Sequence, residues 1–247
     1  MEESITVILN CYKRPEYLRE QVEAIRNQTK KPTQIWLWIN AAKENKKFNP
    51  YQMGFDKVFK SDTNCKYHGR FAVALLAQTD YVAFFDDDTI PGDMWFENCL
   101  ETMKETPGIL GGAGCILHSR LYFQHQRMGW PVNNPVTMEV DLVGHAWFMK
   151  REHLNYMWAE VPFTFENGED IQLSYLAKKH GGVKTYCPPQ PSDKRRYLSS
   201  LKPVEYGNDK KASSNGSLKP IQTFYAERDD CISNAIDNGW QTVLNIQ

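Results

Sequence analysis

The chain has 247 residues, 41% hydrophobic and 24% charged, a globular composition long enough to bury a substantial core and unlike that of a disordered or fibrous protein. Its 29 Lys and Arg against 30 Asp and Glu give a net charge of -1, which argues against a protein whose main work is gripping nucleic acid or an anionic membrane. No apolar run approaches the roughly 18–20 residues of a spanning helix. The acidic start before the first short apolar stretch is the wrong order for a secretory signal, so a soluble, cytoplasmic, single-domain protein is expected.

ITVILN (5–10) is a short β-branched apolar run and reads as a buried strand. Pro15 suits a helical first turn, and Leu18, Val22 and Ile25 then form one apolar face of a helix to about residue 28. Pro32 breaks it. QIWLWIN (34–40) is a second strand, with Trp36 and Trp38 sharing a core-facing side, and DKVFK (56–60) is a short third. Residues 69–78 read as a helix, YVAFF (81–85) as a central strand, and the segment opening at Pro91 as another helix. This alternation through residue 105 predicts βαβ units and a mostly parallel sheet covered on both faces. The second half is more strand-rich: strands at 109–117, 119–126 and 138–149, a helix over about 168–180 stopped by Gly181-Gly182, then VKTYC. Residues 188–219, rich in Pro, Ser and Lys, read as a long mobile loop, and 221–239 as a last helix.

The cysteines, Cys11, Cys65, Cys99, Cys115, Cys187 and Cys231, are scattered without a CxxC pair, a pattern of reduced thiols rather than of zinc or dithiol chemistry. Two acceptor-type tripeptides, Asn27-Gln28-Thr29 and Asn215-Gly216-Ser217, are silent in a chain that stays out of a secretory lumen. GGAG at 111–114 lacks the spacing of a phosphate loop.

Three clusters carry chemistry. FFDDDTIP places Asp86, Asp87 and Asp88 directly after a buried strand, at the carboxyl edge of the sheet. Asp86 and Asp88 can turn toward one hard divalent cation, or the same side chains can cap the next helix. NGEDIQLSYLAKK sets Asn167 and Asp170 at capping-box spacing, while Glu169 or Asp170 at a helix N-terminus also suits a general base. Lys66, His68 and Arg70 in CKYHGRF either hold a diphosphate or form a solvated basic loop, and Lys13 and Arg14 carry the same two readings. His145 and Trp147 lie in VDLVGHAWFM as core or substrate contacts, and Trp130, in the turn-like MGWPVNN, is placed to stack on a sugar.

Taken in order, these segments resemble a GT-A glycosyltransferase of glycosyltransferase family 2. ITVILNCYKRPEYLREQVEAIRNQT is similar to that family's first strand and helix, YVAFFDDDTIPGDM to its DxD strand end, VDLVGHAWFMKREHL to its acceptor-side strands, and GEDIQLSYLAKKHGG to its ED-containing helix. The resemblance spans about residues 4–187, with a looser likeness to sugar-transferase domains encoded by large DNA viruses. It implies an α/β GT-A domain with a nucleotide-binding half (1–105), an acceptor and catalytic half (106–187), and a loop and helix beyond (188–247). It further implies an inverting, metal-dependent transfer, with Mn2+ or Mg2+, from a nucleotide sugar (UDP the expected carrier) to a glycan hydroxyl. Asp88 and Asp86 would then hold the metal; because no histidine follows His180, either Asp193 stands in for a further ligand or that position is left to water. Asp170 would be the base with Glu169 beside it, and Trp130, His145 and Trp147 would meet acceptor or sugar. Asn10, Tyr12, Arg14, Asn40, Arg70, Asp86 and Asp87 would hold the nucleotide. Lys194, Arg195 and Arg196 would close over the diphosphate as a lid.

Two other readings compete. A nucleotidyltransferase would also use an Asp-bound metal but should open with a Gly-rich turn, and NCYKRPEY has no glycine. A silent carbohydrate-binding domain on the same fold would not be expected to retain both DDD and GED.

Overall fold

The computed structural model of the protein describes residues 3–202 and 220–247. Its framework is a nine-stranded sheet: β1 (Ile5–Cys11), β2 (Gln34–Ile39), β3 (Lys57–Lys60), β4 (Tyr81–Phe85), β5 (Ile109–Ile116), β6 (Gln126–Gly129), β7 (Met138–Val140), β8 (Leu142–Lys150) and β9 (Thr185–Cys187). The order is β3-β2-β1-β4-β8-β5-β9-β7, with β6 hydrogen-bonded to β5. Pairing among β1 to β4 is parallel, as the alternating pattern predicts. In the second half parallel pairing is limited to β5–β9; β8 is antiparallel to β4 and β5, β6 to β5, and β7 to β9. The cause lies in the connection. A parallel return needs a crossover, usually a helix, and between β5 and β7 the chain supplies only a 3₁₀ turn at Tyr122–Gln124. The predicted strand at 119–126 accordingly resolves into that turn followed by β6.

Helices α1 (Leu18–Arg26) and α3 (Trp95–Glu105) bury Leu18, Val22, Ile25, Phe96 and Met103 with Val7, Leu9, Phe85 and Phe148. A second core holds α2 (Gly69–Ala74) and α4 (Glu169–Gly181) with Trp36, Trp38, Phe84 and Trp147. The sheet is thus covered by helices on both faces. The helix α5 (Ile221–Asp237) adds a third cluster, seating Cys231 and Ile232 on Ile171 and Tyr175 of α4. All six cysteines are free. No helix among the described residues is long and apolar enough to cross a membrane. The helix expected over 69–78 ends at Ala74, where Leu75, Leu76 and Ala77 tighten into bonds to the third residue back.

The largest departure is at 188–202, expected to be mobile. This segment is a strap. Gly92 and Met94 donate their N–H groups to the carbonyls of Leu198 (2.9 Å) and Arg196 (2.9 Å), and Leu201 donates to Ile90 (2.7 Å). Gln190 donates to the Gly112 carbonyl at 2.8 Å and accepts from Ser199 at 2.9 Å. The helix expected from Pro91 starts at Trp95, and the segment before it carries the strap bonds of Ile90, Gly92 and Met94. Arg196 is held by Asp93 at 2.7 Å, and neither it nor Lys194 or Arg195 lines the cleft described below. The remainder of the expected loop, 203–219, with Asn215, lies outside the described residues.

The strap requires Gly92, where a Cβ would lie 2.4 Å from the Arg196 carbonyl oxygen. Gly92→Ala is expected to destabilise the protein by about 1–3 kcal/mol through backbone overpacking, read by chemical denaturation. It should also make the bonds after Lys194, Arg195 and Arg196 sensitive to trypsin. Resistance equal to wild type would show that the strap does not depend on this contact.

Candidate active site

β1 and β4 end side by side, with Leu9 opposite Phe85, so the residues that follow each strand face one another across the carboxyl edge. Gln21 of α1 pins the Asp86–Thr89 turn by donating to the carbonyls of Asp86 (2.7 Å) and Thr89 (2.8 Å). The cleft there is lined by Asn10, Tyr12, Arg14, Arg70, Asp86, Asp87, Asp88, Arg127, Trp130, Gly144, His145, Trp147, Glu169, Asp170 and Arg228, among others.

The acidic run is interleaved with buried arginines. Arg14 pairs with Asp87 and, at 3.1 Å, with Asp88. Arg70 pairs with Asp86 and, at 3.2 Å, with Glu169, so it joins the strand-end acids to the helix-start acids. Its guanidinium also lies 4.5 Å from the Trp147 ring centroid. Arg228, from α5, binds Asp170 at 2.7 Å and the Asn167 side-chain oxygen at 3.2 Å. Burial, reinforced by Asp170, pushes the Glu169 carboxyl up to about 7 against the pull of Arg70 and Arg228. Burial likewise raises Asp87 above the ordinary carboxylate range, against the opposing pull of Arg14.

His145 completes a cluster. It has a left-handed backbone (φ 73) beside the register shift between β5 and β8, and its carbonyl accepts the Asp86 N–H at 3.1 Å. Such an irregularity re-aims a side chain next to a site. Here it brings the His145 Nδ1 to 3.9 Å from Asp86 Oδ2 and 3.9 Å from Asp88 Oδ1. Trp130 stacks on the imidazole at 4.1 Å between centroids. Ligand atoms of Asp86, Asp88 and His145 all lie within 4.8 Å of one another. Each aspartate offers an arginine one oxygen and His145 the other, and Asp88 Oδ1 is buried with no hydrogen-bond partner among the described residues. Two carboxylate oxygens and an imidazole nitrogen suit Mn2+ or Mg2+, and the orphaned oxygen is the kind of group a cation would satisfy.

The predicted residues divide. Asn10, Tyr12, Asp86, Asp87, Asp88, Glu169, Asp170, Trp130 and His145 all reach the cleft. Arg14 and Arg70 reach it too, yet as partners of the acids rather than as free cations. Asn40 does not line it: it is buried and bonds Asn64, Lys66 and Cys65, shaping the loop behind Tyr12. Asp193 is exposed and belongs to neither cleft nor cluster; His145, expected as a substrate contact, is the residue that groups with Asp86 and Asp88. Trp147 is 2% exposed and covered by Arg70, so it floors the site without an open face. His68 is not part of a basic loop, because burial, with Arg70 nearby, lowers its ring to about 4 and leaves it neutral. Asn167 and Asp170 form no capping box. Gly168, with φ 99, starts α4 without a side-chain cap; Asn167 and Asp170 both bind Arg228, and the second oxygen of Asp170 accepts the Ile171 N–H at 2.9 Å. Arg127, Gly144 and Arg228 carried no sequence signal; Arg228 reaches Asp170 from 58 residues away.

No curated protein sequence matches the chain. Among solved structures, the mannosyltransferase PcManGT from Pyrobaculum calidifontis, in complex with GDP-Man and Mn2+, superposes with a TM-score of 0.54 at 16% identity, covering 96% of this chain and 75% of that one. Residues 1–349 of S. aureus TarS superpose with a TM-score of 0.54 at 14% identity, covering 75% of this chain, which spans 60% of that one. At such identities these likenesses establish a shared GT-A architecture. The family model "Glycosyl transferase family 2" matches residues 6–158, more than half of the chain, and the chain belongs to that family.

Proposed function

We propose that the protein transfers a sugar from a nucleoside-diphosphate donor to a hydroxyl of a glycan, with a divalent cation and with inversion. The observation that carries this reading is the convergence of Asp86, Asp88 and His145 on one side of a cleft that presents the Asp170 carboxylate from a separate element. UDP-sugars follow from the resemblance and GDP-sugars from the PcManGT complex, and both are donors to test.

Mn2+ or Mg2+, when bound, supplies charge stabilisation for the leaving diphosphate. Asp86, Asp88 and His145 would hold it, with Trp130 keeping the imidazole in place. Asn10 and Tyr12 line the β1 end of the cleft, where the nucleotide would lie. Asp170 accepts the acceptor hydroxyl's proton on the face of the anomeric carbon opposite the leaving group, through an oxocarbenium-like transition state. Gly144 leaves the floor open there: even a Cβ at that position would stand 3.8 Å from Asp170 Oδ2. Arg228 fixes the Asp170 rotamer, and Glu169 holds Arg70 against the donor side. Trp130 is the aromatic surface available to a sugar.

Two tests follow. Asp88→Asn should lose Mn2+-dependent binding of UDP or GDP, by calorimetry, by at least the roughly 10–100-fold that outer-sphere metal partners are worth, with the fold retained by circular dichroism and the melting temperature lowered, since Arg14 loses one of its two carboxylate partners. Undiminished affinity at equal metal would remove the metal assignment. Asp170→Asn should cut transfer by about 10²-fold or more and leave donor affinity nearly unchanged, while NMR of the wild-type product should show inverted configuration. Retention, or near-normal turnover of the variant, would leave Asp170 as no more than the anchor of Arg228.

A further inference from the structure

Three of the arginines lining the cleft are matched to carboxylates: Arg14 to Asp87 and Asp88, Arg70 to Asp86 and Glu169, and Arg228 to Asp170. Arg127 is not. It sits on β6 in register with Cys115 of β5, is partly buried, and lines the same cleft. Its guanidinium lies against the Tyr122 hydroxyl and near Cys115, and no carboxylate within ion-pair reach of it occurs among the described residues. Arg228 lies over the ring of the same tyrosine, 4.1 Å from the Tyr122 ring centroid. The acids of this corner are already engaged: Asp170 by Arg228 at 2.7 Å, and Asp229 by the Tyr122 backbone N–H at 2.5 Å.

Two guanidinium groups therefore share one tyrosine, and only one of them, Arg228, holds a carboxylate. A half-buried cation without a counter-charge is unfavourable, and the cost falls when an anion is brought to it. The planar fork of arginine is suited to bidentate contact with carboxylate or phosphate. Arg127 shares Tyr122 with Arg228, the partner of Asp170, the proposed base; it also lies within electrostatic reach of His145, so the donor diphosphate is the competing occupant that the nucleotide measurements below address.

We propose that Arg127 receives an oxyanion carried by the acceptor, a phosphate or a carboxylate neighbouring the hydroxyl that is glycosylated. This rests on the transferase reading above and adds a substrate class to it: an anionic rather than a neutral glycan. Specificity then follows from charge, since a neutral acceptor would leave Arg127 desolvated and unpaired.

The test uses wild type, Arg127→Gln and Arg127→Lys, each with Mn2+ and saturating UDP or GDP. NMR titrations compare glycerol 1-phosphate with glycerol, and methyl glucuronide with methyl glucoside. Wild type is expected to bind one anionic probe at least tenfold more tightly than its neutral counterpart, and which probe does so separates phosphate from carboxylate. Arg127→Gln should abolish the preference, Arg127→Lys should retain part of it, and nucleotide affinity should be equal in all three. If the Gln variant does not fold, by thermal melting, the Lys variant carries the test, because it keeps the charge and loses the fork. Absence of an anion preference in wild type, or a preference unchanged in the folded variants, overturns the proposal. So does a loss of UDP or GDP affinity in the variants, which would assign Arg127 to the donor diphosphate. Failure of wild type to bind either nucleotide with Mn2+ would overturn the transferase reading and this proposal with it; loss of the anion preference alone, with nucleotide binding intact, overturns only the proposal.

Discussion

Five carboxylates, Asp86, Asp87, Asp88, Glu169 and Asp170, meet at one edge of the sheet, and the structure depends on how their repulsion is relieved. Arg14, Arg70 and Arg228 are 8%, 3% and 4% exposed and lie among them. Breaking one such buried pair by removing a partner would cost about 3–5 kcal/mol, since the other charge stays buried and unmatched. The arrangement also gives direction. Because Arg14 and Arg70 each take one oxygen of Asp88 and Asp86, the other oxygens turn toward His145. Preorganisation of this kind would set the proposed donor atoms in place before any cation arrives.

The fold supplies the three elements that this network joins. Parallel β1 and β4 deliver the DDD run to the carboxyl edge, antiparallel β8 brings His145 in from the opposite direction, and α4 presents Glu169 and Asp170 over the same edge. The close approach of α5 to the start of α4 is possible because Gly168 lacks a side chain: a Cβ there would lie 2.6 Å from the Cys231 sulfur. Arg228 can then stack on Tyr122 while binding Asp170. The strap at 188–202 closes over the start of α3 and onto β5, and so holds the segment that follows the Asp86–Thr89 turn through Ile90 and Gly92.

Much of this was legible in the residues. The apolar runs at 5–10, 34–40 and 81–85 have the β-branched and aromatic content of buried strands, and all three are. The DDD and GED runs stand at element boundaries, where polar side chains follow apolar ones, and both reach the cleft. What the sequence did not disclose is long-range pairing. The spacing of Arg14 and Arg70 is compatible with free cations for a diphosphate, and only the tertiary fold shows them committed to Asp87, Asp88, Asp86 and Glu169. His145 was hidden for a different reason: its aim depends on a positive φ at a register shift, which a Gly-His-Ala string does not announce. The Pro, Ser and Lys content of 188–202 suggested mobility, yet the segment is retained by backbone hydrogen bonds, to which composition is blind.

The central claim is that the carboxylate oxygens spared by the arginines form, with His145, a cation site facing Asp170. Anomalous diffraction from crystals grown with Mn2+ and UDP or GDP tests it most directly. The expected result is one manganese peak at bonding distance from Asp86, Asp88 and His145, with the nucleotide diphosphate against it. A manganese ion bound elsewhere with nucleotide present, or a nucleotide seated in the cleft with His145 still distant from any cation, would contradict the account.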